Sequence, residues 1–312
     1  DAFHNLGFSS LPKSGSGTRI LIYHGIDLDG STEFNTRFIS KAYFEKQIAY
    51  FSSHFNLVSL NDVFAGRLDN TKLNIAITFD DGYLNNLKYA LPILEKYNAP
   101  ATFFITGVRD FGMDVLWPDV VDMATALCNE PIAVEGKVFK KNFRGELACS
   151  ESTLKKVAKK ESWEFKLNMM EQLNAAVSFR DDSKLFDYWQ QMSTEQIREL
   201  AASPIVTVAS HGYYHNNLGE IGFNDAVQEL QKSKQFLESI TQTEITALAY
   251  PDGSYSRELV DAAEQTGYSQ QLAVEYLFPQ DKKDSRVLER FGVNPFISWN
   301  NQLHCLVKNS YW

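Results

Sequence analysis

The stretch IAITFDDGYLNN runs from Ile75 to Asn86. Its first five residues are apolar or β-branched, as a buried strand requires. The run stops at two adjacent carboxylates, Asp80 and Asp81, followed by Gly82, and a helical pattern begins at Leu84. A strand that passes into a helix through a short turn is half of a βαβ unit, the unit from which parallel sheets are built. The two aspartates pose a question, because like charges this close make each other harder to ionise. Either they form a solvated turn or something positive sits on them.

The same alternation extends in both directions. TRILIYHGI (Thr18–Ile26) reads as a strand, and SKAYFEKQIAYFSSHF (Ser40–Phe55) as a helix with Ser40 as its cap. LNNLKYALPILEKYN (Leu84–Asn98) reads as a helix kinked or restarted near Pro92. ATFFIT (Ala101–Thr106), IVTVASHG (Ile205–Gly212), ITALAYP (Ile245–Pro251) and YSQQLAV (Tyr268–Val274) read as further strands. Between them FNDAVQELQKSKQFLESI (Phe223–Ile240) sets Val227, Leu230, Leu237 and Ile240 near one helical face, and SRELVDAAEQTG closes on Gly267. The expected fold is therefore α/β with a largely parallel sheet. In such folds chemistry gathers at the C-terminal ends of the strands. His24, Asp80, Asp81, His211 and Asp252 all stand at such ends.

The rhythm breaks between about 108 and 199, where STLKKVAKKESWEFKLNMMEQLNAAV (Ser152–Val177) looks mostly helical. This region reads as a largely helical insertion, its lysines as a solvated face and Met169 and Met170 as packing. Residues 1–18 read as a polar N-terminal extension and 19–312 as the main domain. Five aromatics, Trp117, Trp189, Trp299, Tyr213 and Tyr214, are candidates for stacking on a bound ligand, with burial in a core as the commoner fate of such residues.

At 44% hydrophobic and 22% charged, the 312 residues can bury a sizeable core. A net charge of −9 argues against a nucleic-acid or anionic-membrane partner. No apolar run is long enough for a transmembrane helix. Cys128, Cys149 and Cys305 are odd in number and widely spaced, which fits free thiols rather than a disulfide framework or zinc ribbon. Free thiols and the lack of a visible signal segment lean slightly toward the cytoplasm; a segment removed before Asp1 would instead mean export, periplasmic or at the cell surface. Oligomeric state is not legible.

In ASHGYYHNNL the histidines His211 and His215 are four apart. On one helical turn both rings would point the same way, as a shared metal requires. Alone, an HxxxH pair is as easily chance, and two adjacent aspartates are more often a turn. Together they supply two imidazoles and a carboxylate, a set suited to a divalent ion, zinc first, with an open coordination position. One aspartate then binds the cation, and the other stays free beside it.

TFDDG (Thr78–Gly82), SHGYYH (Ser210–His215) and AYPDGSYS (Ala249–Ser256) together resemble the polysaccharide deacetylase family, the NodB-homology carbohydrate esterases of family 4. The resemblance covers about Arg19 to Gly107 and Ile205 to Pro295. It implies a distorted (β/α) barrel of about seven strands. It also implies Asp80 as general base and Asp81, His211 and His215 as metal ligands. In the third motif, Tyr250, Pro251 and Asp252, the backbone N–H after the proline would hold the oxyanion. Gly212 stands where the family usually has Ser or Thr. Ala249 stands where many members carry an arginine that orients the base, and Arg290 in LERFGVNP is a candidate to replace it. Asp252 stands where many have an aromatic residue. The chain end NNQLHCLVKNSYW matches the family's usual acid-histidine motif poorly, and His304, His54 and His4 read as structural. LIYHGI (Leu21–Ile26) instead resembles the poly-N-acetylglucosamine deacetylase subgroup, whose acid histidine comes from the first strand; His24 occupies that place.

What the resemblance implies is a metal-dependent hydrolase that removes N-acetyl groups from an amino-sugar glycan. The remaining alternatives are a hydrolase of another C–N bond, such as a formamide or cyclic amide, and a silent carbohydrate-binding homologue. Release of acetate from glycans separates them.

Overall fold

The structure, a computed structural model, describes residues 11–150 and 152–311. Residues 1–10 of the expected N-terminal extension, with His4, lie outside the described residues. In chain order the first elements are β1 (Gly17–Tyr23), β2 (Ile26–Asp27), β3 (Ile39–Ser40), α1 (Lys41–His54), β4 (Asn56–Val58), α2 (Leu60–Phe64), β5 (Leu73–Phe79), α3 (Leu91–Lys96) and β6 (Ala101–Ile105). Next come α4 (Trp117–Leu127), β7 (Ile132–Val134), β8 (Lys137–Lys141), β9 (Leu147–Ala148), α5 (Leu154–Lys160), α6 (Trp163–Ala176) and α7 (Thr194–Ala201). The chain then forms β10 (Val206–Ser210), α8 (Phe223–Thr241), β11 (Ala247–Ala249), α9 (Arg257–Gln265), β12 (Gln270–Ala273), β13 (Val287–Glu289), β14 (Phe291–Gly292) and α10 (Trp299–Lys308).

The main sheet runs in the order β13-β12-β11-β10-β6-β5-β1-β14, with β4 paired to β5, and every one of these pairings is parallel. Its two end strands, β13 and β14, are separated in the chain by a single residue, Arg290. The sheet thus curls into a nearly closed barrel whose seam is crossed by one step of backbone. This is the distorted (β/α) barrel expected. The strands beyond the expected seven or so are short, such as the three residues of β4 and the two of β14.

Side-chain alternation divides the sheet into two faces. Ile75, Ile77 and Phe79 of β5 join a core with α1, α3, α8, α9 and α10. Their neighbours point to the lumen, where Ile20, Ala76, Phe104, Ala209, Ala247, Ala249 and Leu272 form a smaller cluster. Small residues dominate there, so the lumen keeps room for polar groups at its top. Helix starts follow their caps: the Ser40 side chain accepts from the Tyr43 N–H, and Ser256 does the same for Leu259. The expected kink at Pro92 is taken up earlier, by a π turn over Asn86–Ala90 that leads directly into α3.

The region between β6 and β10 differs in part from a helical insertion. Helices α4, α5 and α6 share a second core with Phe139 of β8, built on Trp117, Val120, Leu154, Met169, Met170 and Leu173. Strands β7, β8 and β9 add an antiparallel sheet that the sequence pattern does not announce. Helix α7 packs on β10 and α8, as part of the barrel's own layer. Phe38 and Tyr83, from the rim of the barrel, belong to the second core and fix it over the strand ends. No described helix is long and apolar enough to cross a membrane.

Candidate metal centre and catalytic site

Asp80 follows β5 on the lumen side, two residues after Thr78 and four after Ala76. Regular alternation would send Asp81 to the helix layer. A left-handed backbone at Asp81 (φ 78°), followed by Gly82 (φ 84°), turns the chain back. Both aspartates are consequently buried at the rim, 3% and 0% exposed.

The histidines also converge, though without a helix. His211 and His215 lie on a loop after β10 rather than on the expected helical turn. Gly212 (φ 75°) and His215 (φ 58°) both take left-handed conformations, which bend the loop so that the ring centroids stand 5.1 Å apart. A Cβ at Gly212 would also lie 3.3 Å from Pro251 Cγ. That close approach and the positive φ explain why glycine stands there.

Asp81, His211 and His215 offer one carboxylate oxygen and two ring nitrogens, all within 4.8 Å of one another. Nε2 of His215 is 3.1 Å and Nε2 of His211 3.4 Å from Asp81 Oδ1. Ligands about 2.1 Å from a tetrahedral ion sit roughly 3.4 Å apart, so the spacing fits a cation at the centre. The His211 tautomer fits as well. Its Nδ1 lies 2.8 Å from the Ala249 carbonyl, which can only accept, so Nδ1 carries the hydrogen and Nε2 can face the centre as a lone pair. Both Asp81 oxygens are buried without a hydrogen-bond donor. A divalent cation supplies what this arrangement lacks.

Each of the two aspartates has its own guanidinium. Arg290 donates from Nη1 to Asp80 Oδ1 at 2.7 Å and from Nη2 to Oδ2 at 2.8 Å, and its Nη1 also reaches Thr78 Oγ1 at 3.2 Å. Arg37, on the loop before β3, places Nη2 3.7 Å from Asp81 Oδ2. Burial alone would raise the Asp80 carboxyl, but the Arg290 guanidinium brings it below its usual range. Burial opposes the charge on Asp81 too; Arg37 is the largest influence against it, and the carboxyl is held well below the usual value. Asp119 accepts from the Tyr83 hydroxyl at 2.8 Å, and burial followed by the Asp81 charge pushes it well up against the weaker opposing pull of Tyr83 and Arg37. Ala249, at the position of the family arginine, is lumen-facing and fully buried. The guanidinium on Asp80 enters from the barrel seam instead.

His24 follows β1 at the same rim and is half-buried. Burial, with Arg37 next, pushes its imidazole down to about 3, against the opposing pull of Asp81 and Asp80. His24 is therefore neutral at rest near neutral pH. Tyr250 is buried, with its hydroxyl donating to Gln271 Oε1 at 2.6 Å. Pro251 and Asp252 form a 3-10 turn in which Asp252 is left-handed (φ 55°). The Asp252 carboxylate faces the rim, accepting from Asn217 at 3.0 Å and pairing with Lys159 of α5.

Four of the five aromatics considered for ligand stacking are buried. Trp117, Trp189, Tyr213 and Trp299 are between 2% and 7% exposed, held in the two cores. Tyr214 keeps partial exposure, stacked on Trp163 at 4.3 Å. His54 stacks on Tyr50 at 4.0 Å. His304 lies on α10, whose last turn accepts from Arg19 at the start of β1, toward the opposite end of the barrel. Sequence reasoning missed Arg37, which no local pattern marks, and Lys166, whose side-chain partner Asn216 lies 50 residues away in the chain.

A family profile described as polysaccharide deacetylase matches residues 67–130 and 167–271, more than half of the chain. The Bacillus subtilis (strain 168) protein YxkH, whose name places it among the polysaccharide deacetylases, is 22% identical over 224 residues, 72% of this chain. The match takes in 53% of that protein, so the chain spans about half the length of this curated relative. Among solved structures, the Streptococcus pyogenes deacetylase PplD in complex with acetate superposes with a TM-score of 0.59 at 16% identity, covering 94% of this chain and 99% of that one. IcaB from Ammonifex degensii gives 0.56 at 17% identity, covering 94% and 97%. A de-N-acetylase from Aggregatibacter actinomycetemcomitans gives 0.55 at 17%, covering 94% and 98%. At these identities the likeness is one of fold.

Proposed function

The chain belongs to the polysaccharide deacetylase family, and on that premise we propose that it hydrolyses the N-acetyl groups of an amino-sugar glycan with zinc as its divalent cation. The observation that carries this reading is the buried set Asp81, His211 and His215 beside an Asp80 held by Arg290.

A cation held by Asp81, His211 and His215 supplies Lewis acidity that polarises the acetamide carbonyl and makes a water easier to deprotonate. Asp80 takes the proton of the attacking water. Its pairing with Arg290 keeps it ionised and fixes its plane, leaving the outer lone pairs for the proton. The N–H of Asp252, in the turn after Pro251, donates to the carbonyl oxygen as negative charge develops there. The C–N bond then breaks. Its nitrogen leaves as an amine only if protonated, and His24 is the group at the rim to deliver that proton. His24 is neutral in the free protein, so it first takes up a proton from solvent as the negative charge on the reacting substrate raises its pKa, and then passes that proton to the departing nitrogen. The products are acetate and a free amino sugar. The first-strand position of His24 favours a substrate of the poly-N-acetylglucosamine type.

The test is a panel of chito-oligosaccharides, poly-N-acetylglucosamine, formamides and cyclic amides. Acetate and free amine in equal amounts from the N-acetyl glycans support the reading. Turnover confined to a formamide or cyclic amide moves the chemistry to another C–N bond. Glycan binding without turnover leaves a carbohydrate-binding homologue.

A further inference from the structure

Residues 131–166 fall between the two stretches that the family profile matches. Two of their lysines nevertheless reach the site. Lys159 pairs with Asp252 at the rim. Lys166, near the start of α6, is 0% exposed, a rare place for an ammonium unless it is fully partnered.

Its partners lead to the metal-binding loop. Lys166 Nζ donates to the Glu161 carbonyl at 3.0 Å and to Asn216 Oδ1, and stands 5.2 Å over the Trp117 ring. The other end of the Asn216 amide donates to Glu229 Oε1. Glu229 Oε2 accepts the backbone N–H groups of Tyr213 at 3.3 Å and Tyr214 at 3.0 Å. Trp117 donates its indole N–H to the carbonyl of His215 at 2.9 Å. Residues 213–216 are thus held from α4, α6 and α8 together. The segment held includes His215, whose positive φ costs energy and persists only where its surroundings impose it.

We propose that Lys166 and Trp117 are positioning residues for the cation site: Trp117 holds the backbone carbonyl of His215 and Lys166 holds the side chain of Asn216, so that the His215 ring meets Asp81. The proposal rests on Asp81, His211 and His215 binding a cation. It makes the segment around 131–166 part of the assembly of that centre, with substrate choice a secondary matter.

The experiment is calorimetric titration of zinc into chelator-stripped protein, with circular dichroism to confirm folding. Groups behind metal ligands typically contribute about 10- to 100-fold in affinity. Trp117→Phe and Lys166→Met should each raise Kd by that factor. Lys155→Met, which breaks the ion pair to Asp122 within the same region, should leave Kd unchanged. A folded Trp117→Phe or Lys166→Met protein that melts lower but binds zinc with the wild-type Kd overturns the role of that residue. Equal weakening in Lys155→Met overturns the proposal as a whole. His215→Ala separates this from the premise: undiminished zinc binding in that variant removes the cation site itself. Trp117→Phe removes the indole N–H while leaving an apolar aromatic ring at the buried site, and so keeps the test decisive if Lys166→Met fails to fold.

Discussion

Arg290 lies on Asp80 through two parallel hydrogen bonds, 2.7 and 2.8 Å, in a lumen where both side chains are buried. A buried carboxylate held this way is fixed in plane and kept charged. In Arg290→Met the guanidinium is lost, and burial, which already favours the protonated form, raises the Asp80 carboxyl. A base works only when ionised, so activity falls as pH drops through its pKa. Raising that pKa moves the acid limb of kcat/KM to higher pH and lowers kcat near neutrality by about tenfold or more. A pH–rate profile with an unshifted acid limb would show that Arg290 does not govern the base.

The two adjacent aspartates should part company on mutation. Asp80→Asn should keep its metal and lose roughly 10²- to 10⁴-fold in kcat with the general base. Asp81→Asn should lose the metal along with the activity. Emission spectrometry of the purified variants decides, and the opposite pattern would mean the roles are reversed.

Trp189 is 3% exposed and packs edge-on against Phe179 and Phe186. Trp189→Ala should therefore cost about 3–5 kcal/mol of stability, seen as a lower denaturant midpoint. Relative kcat/KM across glycan lengths should stay level. A changed length preference at unchanged stability would return Trp189 to the substrate.

His24 gives two signatures. An unfolded imidazole titrates near 6.5, and in the fold it titrates at about 3. The folded protein resists that proton, so this contribution to stability is complete above about pH 6.5 and is lost as pH falls toward 3. His24→Gln should unfold at lower pH than the wild type. In catalysis kcat/KM reports the free protein, so His24 should give it no alkaline limb near neutrality; a limb due to His24 belongs to kcat. His24→Gln should also slow acetamide hydrolysis more than cleavage of an activated acetate ester, whose leaving oxygen needs little protonation. Equal losses on both substrates would make His24 a structural residue.

The sequence exposed the barrel because strand and helix periods alternate cleanly on either side of Asp80. The rim residues were legible because His24, Asp80, Asp81 and His211 each end an apolar run. Other features were hidden for physical reasons. The turn joining β7 and β8 is made by Glu135 and Gly136, both left-handed, and Glu-Gly is a weaker hairpin signal than Asn-Gly. Lys166 sits in a lysine-rich run with exposed neighbours such as Lys156 and Lys160; its burial depends on Asn216, 50 residues away. Arg290 was only a candidate, because its contact with Asp80 exists once the barrel closes. The helical turn expected for His211 and His215 failed because spacing alone does not register the positive φ of Gly212 and His215.

In the proposed mechanism Asp81, His211 and His215 hold the cation on which N-deacetylation depends. The most direct test is acetate release from poly-N-acetylglucosamine by one preparation, first stripped with chelator and then resupplied with zinc, alongside His211→Ala and His215→Ala. Release should stop on stripping, return with zinc, and fail to return in either variant. Release that persists in the stripped protein, or returns in both variants, would contradict it.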